Sequence, residues 1–317
     1  MTQPDPERHG GLPYALGAHL IWGLLPLYLR LMHGVPPLAF VGWRVVLTVP
    51  ICLAIIVLRR HGGELRAALR DRRLVATLML SALLIGGNWL VYIAAVLAGH
   101  VFATSIGYYV NPLVNVLLGT LFLGERLSRA QWLAVAIAAI GIAPLAWAGR
   151  DTLWISLALA GSFSLYGLVR KLAPVGALAG LTIESVLLLL PAVAIVGIEA
   201  QGPHGSSFGR DAQTSLLLAS SGVITAVPLL LFAAAARRMD YSSLGFVQFL
   251  SPTLVFFLSL FVFHEPLRPV QLVSFVLIWT ALAVFCWDLL ARRRGSAGDE
   301  ELVAGPIEIV GFDREPG

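Results

Sequence analysis

The stretch Asn111–Gln131, NPLVNVLLGTLFLGERLSRAQ, returns 140 positions later as Ser251–Gln271, SPTLVFFLSLFVFHEPLRPVQ. Pro112, Leu118, Glu125, Leu127 and Gln131 recur without a gap as Pro252, Leu258, Glu265, Leu267 and Gln271. Two apolar segments share leucines by chance, but a shared proline, glutamate and glutamine in greasy surroundings marks an internal duplication. The register holds upstream, where Ala94 and Ala95 lie over Ala234 and Ala235 and Ala103 lies over Ser243. Near the start of each half, Trp22-Gly23 is answered by Tyr166-Gly167 at a slightly different offset.

The surroundings say where such a duplication lives. Hydrophobic residues make up 58% of the 317 and charged residues 13%, against roughly 45–50% and about 25% in soluble domains. Apolar runs of about 20 residues, enough to cross a hydrocarbon core of roughly 30 Å, follow one another along the chain. Charges, prolines and Gly/Ser clusters divide them into spans near 12–32, 38–58, 74–97, 101–123, 131–149, 153–170, 177–198, 215–236, 241–263 and 269–290. The offset carries the fourth span onto the ninth, so each repeat holds five spans. An odd number inverts the second repeat relative to the first. The expected fold is therefore an all-α membrane protein of ten transmembrane helices in two inverted five-helix repeats, residues 12–149 and 150–290. A cytoplasmic N-terminus, 1–11, and a disordered cytoplasmic tail, 291–317, flank them. The start, MTQPDPERHGG, is polar and proline-rich and is expected to be retained.

Positive charge tests the count, because cytoplasmic connections carry the excess of Lys and Arg. With the N-terminus inside, Arg8, the arginines of RRHGGELRAALRDRR (59–73), Arg126, Arg129, Arg170, Lys171, Arg237, Arg238 and Arg292 to Arg294 face the cytoplasm. Only Arg30, Arg150, Arg210 and Arg268 face outward. The net charge of +4 is thus a topology signal spread over many loops, and a nucleic-acid partner is not expected. Residues 59–73 read either as a short interfacial helix or as a solvated loop. Cys52 and Cys286 stand singly within spans and read as small buried hydrophobes, so neither a disulfide nor a metal site is expected.

An ionisable side chain in hydrocarbon costs about 2.5–3.5 kcal/mol on insertion scales and asks for a reason. Arg44 in the second span and Glu184 in the seventh stand at the same offset of 140. Each lies roughly 10 Å deep from opposite faces at 1.5 Å per residue, too far apart for a direct pair. In one reading Arg44 holds an anionic solute group or a gating partner and Glu184 binds a cation or cycles a proton. In the other, Arg44 snorkels outward and neighbouring hydroxyls satisfy Glu184. Asn88, Trp89, Tyr92, Tyr108, Tyr109, Asn111 and Asn115, faced by Tyr166, Phe232, Gln248 and Ser251, read as the lining of a cavity for a polar organic molecule, or as interhelical glue. Pro112 and Pro252 read as kinks, each freeing a carbonyl one turn earlier. Glu125 and Glu265 read as structural anchors at helix ends, and SRAQ (128–131) as a capping box.

No HExxH, nucleophile elbow or phosphate-cradling loop is present, and the histidines are scattered. The reading is of a protein that is not an enzyme and needs no cofactor. Inverted repeats of this kind are the architecture of secondary transporters. A non-transporting scaffold or regulator using the same fold is the alternative, and the duplication and the polar lining argue against it.

The strings LIGGNWLVY, GYYVNPLVNVLLGTLFLGER, QWLAV, SLYGLVRK, ITAVPLLLF and LGFVQFLSPTL closely resemble the RarD branch of the EamA-type drug/metabolite transporters, from about residue 12 to 290. The resemblance implies a bacterial inner-membrane permease with both termini cytoplasmic. It would export small metabolites or drugs. Apart from the resemblance, Glu184 makes protons the candidate coupling ion, and a monomer or homodimer is expected. Relatives tend to read His-Arg where this chain has Trp43-Arg44. A role given to that histidine therefore does not transfer, whereas one given to the arginine does.

Overall fold

The computed structural model describes residues 10–32, 34–264 and 269–303, with side chains to residue 291. The described residues hold thirteen α-helices. They are α1 (Leu12–Leu31), α2 (Pro37–Leu58), α3 (Gly62–Arg70), α4 (Arg72–Leu97), α5 (Val101–Phe122), α6 (Arg129–Ala148) and α7 (Leu153–Leu172), followed by α8 (Ala177–Leu187), α9 (Leu189–Ala200), α10 (Ala212–Arg238), α11 (Tyr241–Gln248), α12 (Leu250–Phe261) and α13 (Pro269–Val303). Among the described residues nine spans are long and apolar enough to cross a bilayer, and α8 with α9, bent by 49° at Leu188, makes a tenth when the pair is counted as one span. This is a multi-pass α-helical membrane protein.

Local sequence sets the helix ends. Asp71 accepts from the backbone N–H of Arg73 and Leu74 to start α4, and Asp211 from that of Thr214 to start α10. That last bond holds the Asp211 carboxyl below its usual range. Ser128 and Gln131 close the capping box of α6 reciprocally, at 3.0 Å each. Residues 62–70 form a helix, α3, with Leu65 and Ala68 packed on α8 through Ala179 and Ile183. The apolar face wins over a solvated loop because α8 covers it.

Two features depart from the expected spans. The seventh is broken, and Pro191 supplies the reason. It has no N–H to give the carbonyl of Leu187, so the ladder fails one turn before it. The two repeated prolines also differ in effect. The ninth span is interrupted at Phe249, a turn before Pro252, whereas α5 runs through Pro112 unbroken. Nor does the last helix stop where a tail was expected: it continues from Pro269 to Val303. Cys52 is buried, but Cys286 is exposed on the outside of the bundle, which corrects the expectation that both are interior.

Packing is twofold in pattern. Helix α1 packs on α10, α11 and α12, and its counterpart α7 packs on α4 and α5. The contact of α2 with α10 is mirrored by that of α8 with α4, while α2 with α9, α5 with α11, and α6 with α13 pair equivalent helices across the axis. The repeats therefore interlock, each sending its first helix into the other. Small residues permit the close crossings: a Cβ on Gly222 would lie 2.6 Å from the Leu47 carbonyl oxygen, and one on Gly141 2.9 Å from the Leu277 side chain. Outside, Trp147 and Trp154 are exposed at one end of α6 and α7, and Trp132 and Trp287 near the other. Trp132 and Trp147 stand about 22 Å apart along α6 at 1.5 Å per residue, the spacing of two interfacial aromatic belts.

Candidate functional site

One end of the bundle is tied by the loops that carry most of its arginines. Glu125, just past α5, accepts from the backbone N–H of Tyr241 (2.6 Å) and Ser242 (2.8 Å) and from the Ser242 hydroxyl (2.7 Å). It therefore caps α11, the equivalent helix of the other repeat. Lys171 donates to the carbonyls of Ala236 and Met239 at 2.9 and 2.7 Å, Arg237 to that of Val175, and Glu64 accepts from Gly176 N–H. Glu265, the partner glutamate in the duplication, lies outside the described residues.

The opposite end is tied around α9. Trp43 Nε1 donates to Glu199 at 2.9 Å and its ring stacks on Phe208. The other Glu199 oxygen accepts from Ser207 through both backbone N–H and hydroxyl.

Between the two ends lies a small cavity of about 10 Å³, room for little more than the centre of one water. Its polar lining is Thr48, Trp89, Tyr166, Glu184, Ser185 and Thr225, with apolar walls from α2, α4, α8 and α10. Arg44 stands at one side of it. Its Nε donates to Thr225 at 3.0 Å and its guanidinium lies over the Trp89 ring at 4.3 Å. The tyrosines Tyr28, Tyr92 and Tyr108 are within electrostatic reach of this cation. Among the described residues no carboxylate lies within ion-pair distance of it. The field there favours an anion or the negative end of a dipole.

Glu184, 1% exposed, is part of the cavity wall. Ser81 donates to its Oε1 at 2.5 Å, and Arg170 Nε lies 3.5 Å from the same oxygen. Arg170 is fully buried. The positive-inside count placed it in a solvated loop, and the structure corrects that. From the last turn of α7 its side chain turns inward, and Nη2 donates to the Ala177 carbonyl at 3.1 Å. The signal available in sequence was weak, because an arginine at a span end normally snorkels to water.

Not all of the expected lining gathers here. Trp89, Tyr166 and Glu184 line the cavity, Arg44 adjoins it, and Phe232 stacks on Tyr166 behind it. Tyr92 and Tyr108 meet edge to face beside Arg44. Asn88 is spent on the Leu159 carbonyl and Ser162, joining α4 to α7 at 2.9 Å. Asn111 accepts from Ser164, Asn115 donates to Gln248 at 2.7 Å, and Ser251 donates to the His19 carbonyl at 2.9 Å. These amides and this hydroxyl join helices and do not line the cavity. Tyr109 faces away, edge-on to Phe275 in the cluster shared by α5, α6 and α13. Sequence reasoning missed Arg170, Ser81 and Thr225. The two hydroxyls carry no signal of their own in a span.

The small cavity lies between interlocked inverted repeats, an arrangement characteristic of membrane carriers, and comparison with known proteins gives the family. The EamA-like transporter family matches residues 9–147. An uncharacterized transporter of Pseudomonas aeruginosa is 42% identical over 87% of this chain and 93% of its own. The protein RarD of Escherichia coli is 40% identical over 91% of this chain and 97% of its own. A solved crystal structure, 19% identical, superposes with a TM-score of 0.69 over 90% of this chain and 99% of its own, a likeness of fold. The chain belongs to the RarD-type branch of the EamA-like transporter family.

Proposed function

We propose that the protein is a secondary permease of a small polar or amphiphilic solute, worked by alternating access around the cavity between Arg44 and Glu184 and coupled to protons at Glu184. The observation that carries this reading is the pair itself. The two charges stand at equivalent positions of inverted repeats, Glu184 in the wall of one cavity and Arg44 against two of its lining residues, Thr225 and Trp89. The arginine-rich end is read as cytoplasmic, and the membrane as the bacterial plasma membrane.

In this reading Arg44 holds a negative or dipolar group of the solute, with Trp89 and the nearby tyrosines packing its body. Glu184 exchanges its proton with one face at a time. The cavity has no room for an organic solute as it stands. Loading requires α8 or α4 to move away from α2 or α10.

The test is flux in proteoliposomes. Purified protein is first screened by thermal shift against amino acids, nucleotides, S-adenosylmethionine and antibiotics, and the stabilising compound is then used as the transported probe. Glu184→Gln is expected to abolish the dependence of its flux on a pH gradient, and Arg44→Ala to weaken its binding at least tenfold. Normal gradient-driven flux in both variants would contradict these roles.

A further inference from the structure

Arg170 is a buried cation at a place where burial is avoidable. It sits two residues from the end of α7 (Leu153–Leu172), and an arginine stem can reach water from there. Instead the guanidinium is folded inward over α8. Room is made for it by Gly180, where a Cβ would clash with three guanidinium atoms, at 2.6 Å from Cζ and Nη2 and nearer still to Nη1. Gly180 lies one turn before Glu184 on the same helix face, so the glycine forms a notch that steers the guanidinium toward the carboxylate.

The pair it makes is incomplete. Nε and Oε1 are 3.5 Å apart, beyond a good charge-assisted bond. Nε and Nη1 of Arg170 and Oε2 of Glu184 are buried without any hydrogen-bond partner. A pair built only for stability satisfies its remaining donors and lone pairs, because buried orphans are costly. One long contact with two further atoms, Nη1 and Oε2, left without a partner describes a contact made to be broken.

We propose that Arg170 is the coupling residue of Glu184: the pair closes the arginine-rich end of the pathway, and protonation of Glu184 releases Arg170 to water and opens that end. This rests on the reading of the site as proton-coupled. The proton, taken from solvent, goes to Oε2, the oxygen without a partner. Neutral Glu184 keeps its bond with the Ser81 hydroxyl but no longer compensates the guanidinium. An uncompensated cation is not tolerated in the interior, and the short way out lies past the end of α7. Other groups facing the carboxylate do not substitute for Arg170. They are Ser81 from α4 (Arg72–Leu97), Tyr166 from α7, Cys52 from α2 (Pro37–Leu58) and Thr225 from α10 (Ala212–Arg238), none of them cationic. Glu64 of α3 (Gly62–Arg70) engages Gly176 at the far end of the same helix.

The experiment reads access and does not need the solute. With Cys52 and Cys286 replaced by alanine, Ser185→Cys in the cavity wall is labelled in the full-length protein in sealed vesicles by a membrane-impermeant maleimide. The reagent is applied from the arginine-rich side across pH 5.5–8.5, with rates corrected for the reagent's own pH dependence. Labelling is expected to speed up about tenfold as pH falls. In Glu184→Gln it should be fast and independent of pH. In Gly180→Ala, which keeps both charges but fills the notch, it should be fast already at high pH. Arg170→Lys should restore part of the pH response. A purely structural pair predicts lower thermal midpoints with slow, pH-independent labelling in every folded variant, and that result would overturn the proposal. If gradient-driven flux persists alongside it, only this inference fails. Absence of any flux in the parent protein marks the failure of the transport reading instead.

Discussion

At the scale of single residues, charge in hydrocarbon is the most informative signal in this chain. Arg44 and Glu184 could be found from sequence because an ionisable group in an apolar run has no bland explanation. Among the described residues the structure leaves Arg44 without a carboxylate and gives Glu184 a cation that sequence did not offer, Arg170. A residue near a span end has two environments within reach, and only tertiary packing, here the notch at Gly180, selects between them. The same limit explains Tyr108 and Tyr109: neighbours in a helix point about 100° apart, and the partner helices decide which one meets Arg44. Glu125 is a case where the residue type was legible but its partner was not. Its carboxylate takes three donors at the start of α11. Glu125→Ala is expected to cost about 0.5–2 kcal/mol, the range for a lost N-cap. Thermal unfolding in detergent should show a lower midpoint, partly recovered in Glu125→Gln. An unchanged midpoint would mean that water replaces the cap.

At the scale of elements, span positions were legible because bilayer thickness fixes length and charges mark ends. Breaks within spans were not. Pro112 and Pro252 look equivalent in sequence, yet the helix is interrupted only before the second. Pro191 was passed over, although its missing N–H falls at the 49° bend of α8 and α9. A proline states which bond is missing, and the neighbouring helices decide whether the helix bends there. Pro191→Ala restores the donor to the Leu187 carbonyl, and the bend is expected to shrink well below its present angle while the protein stays folded. Spin-label distances between α8 and the far end of α9 would measure this. An unchanged distance would show that packing of α9 on α2 sets the angle instead.

For the whole molecule, duplication at an offset of 140 with five spans per repeat was enough to give inversion, and inversion gives the twofold pattern of contacts. The interlocking was not legible, since helix neighbours in a bilayer are chosen by shape, through residues such as Gly141 and Gly222, and not by hydrophobicity. It changes what can move. With α1 held by α10–α12 and α7 by α4 and α5, the alternating access proposed above has to rock mixed bundles drawn from both repeats. The central claim, that this cavity opens alternately to the two faces, is tested most directly at Thr225, which touches both Arg44 and the cavity. Thr225→Cys in the Cys52→Ala, Cys286→Ala background is exposed to an impermeant thiol reagent from each side of oriented vesicles in turn. Alternating access predicts labelling from both sides, with pH shifting the two rates in opposite directions. Labelling from one side alone, or from neither, would contradict it.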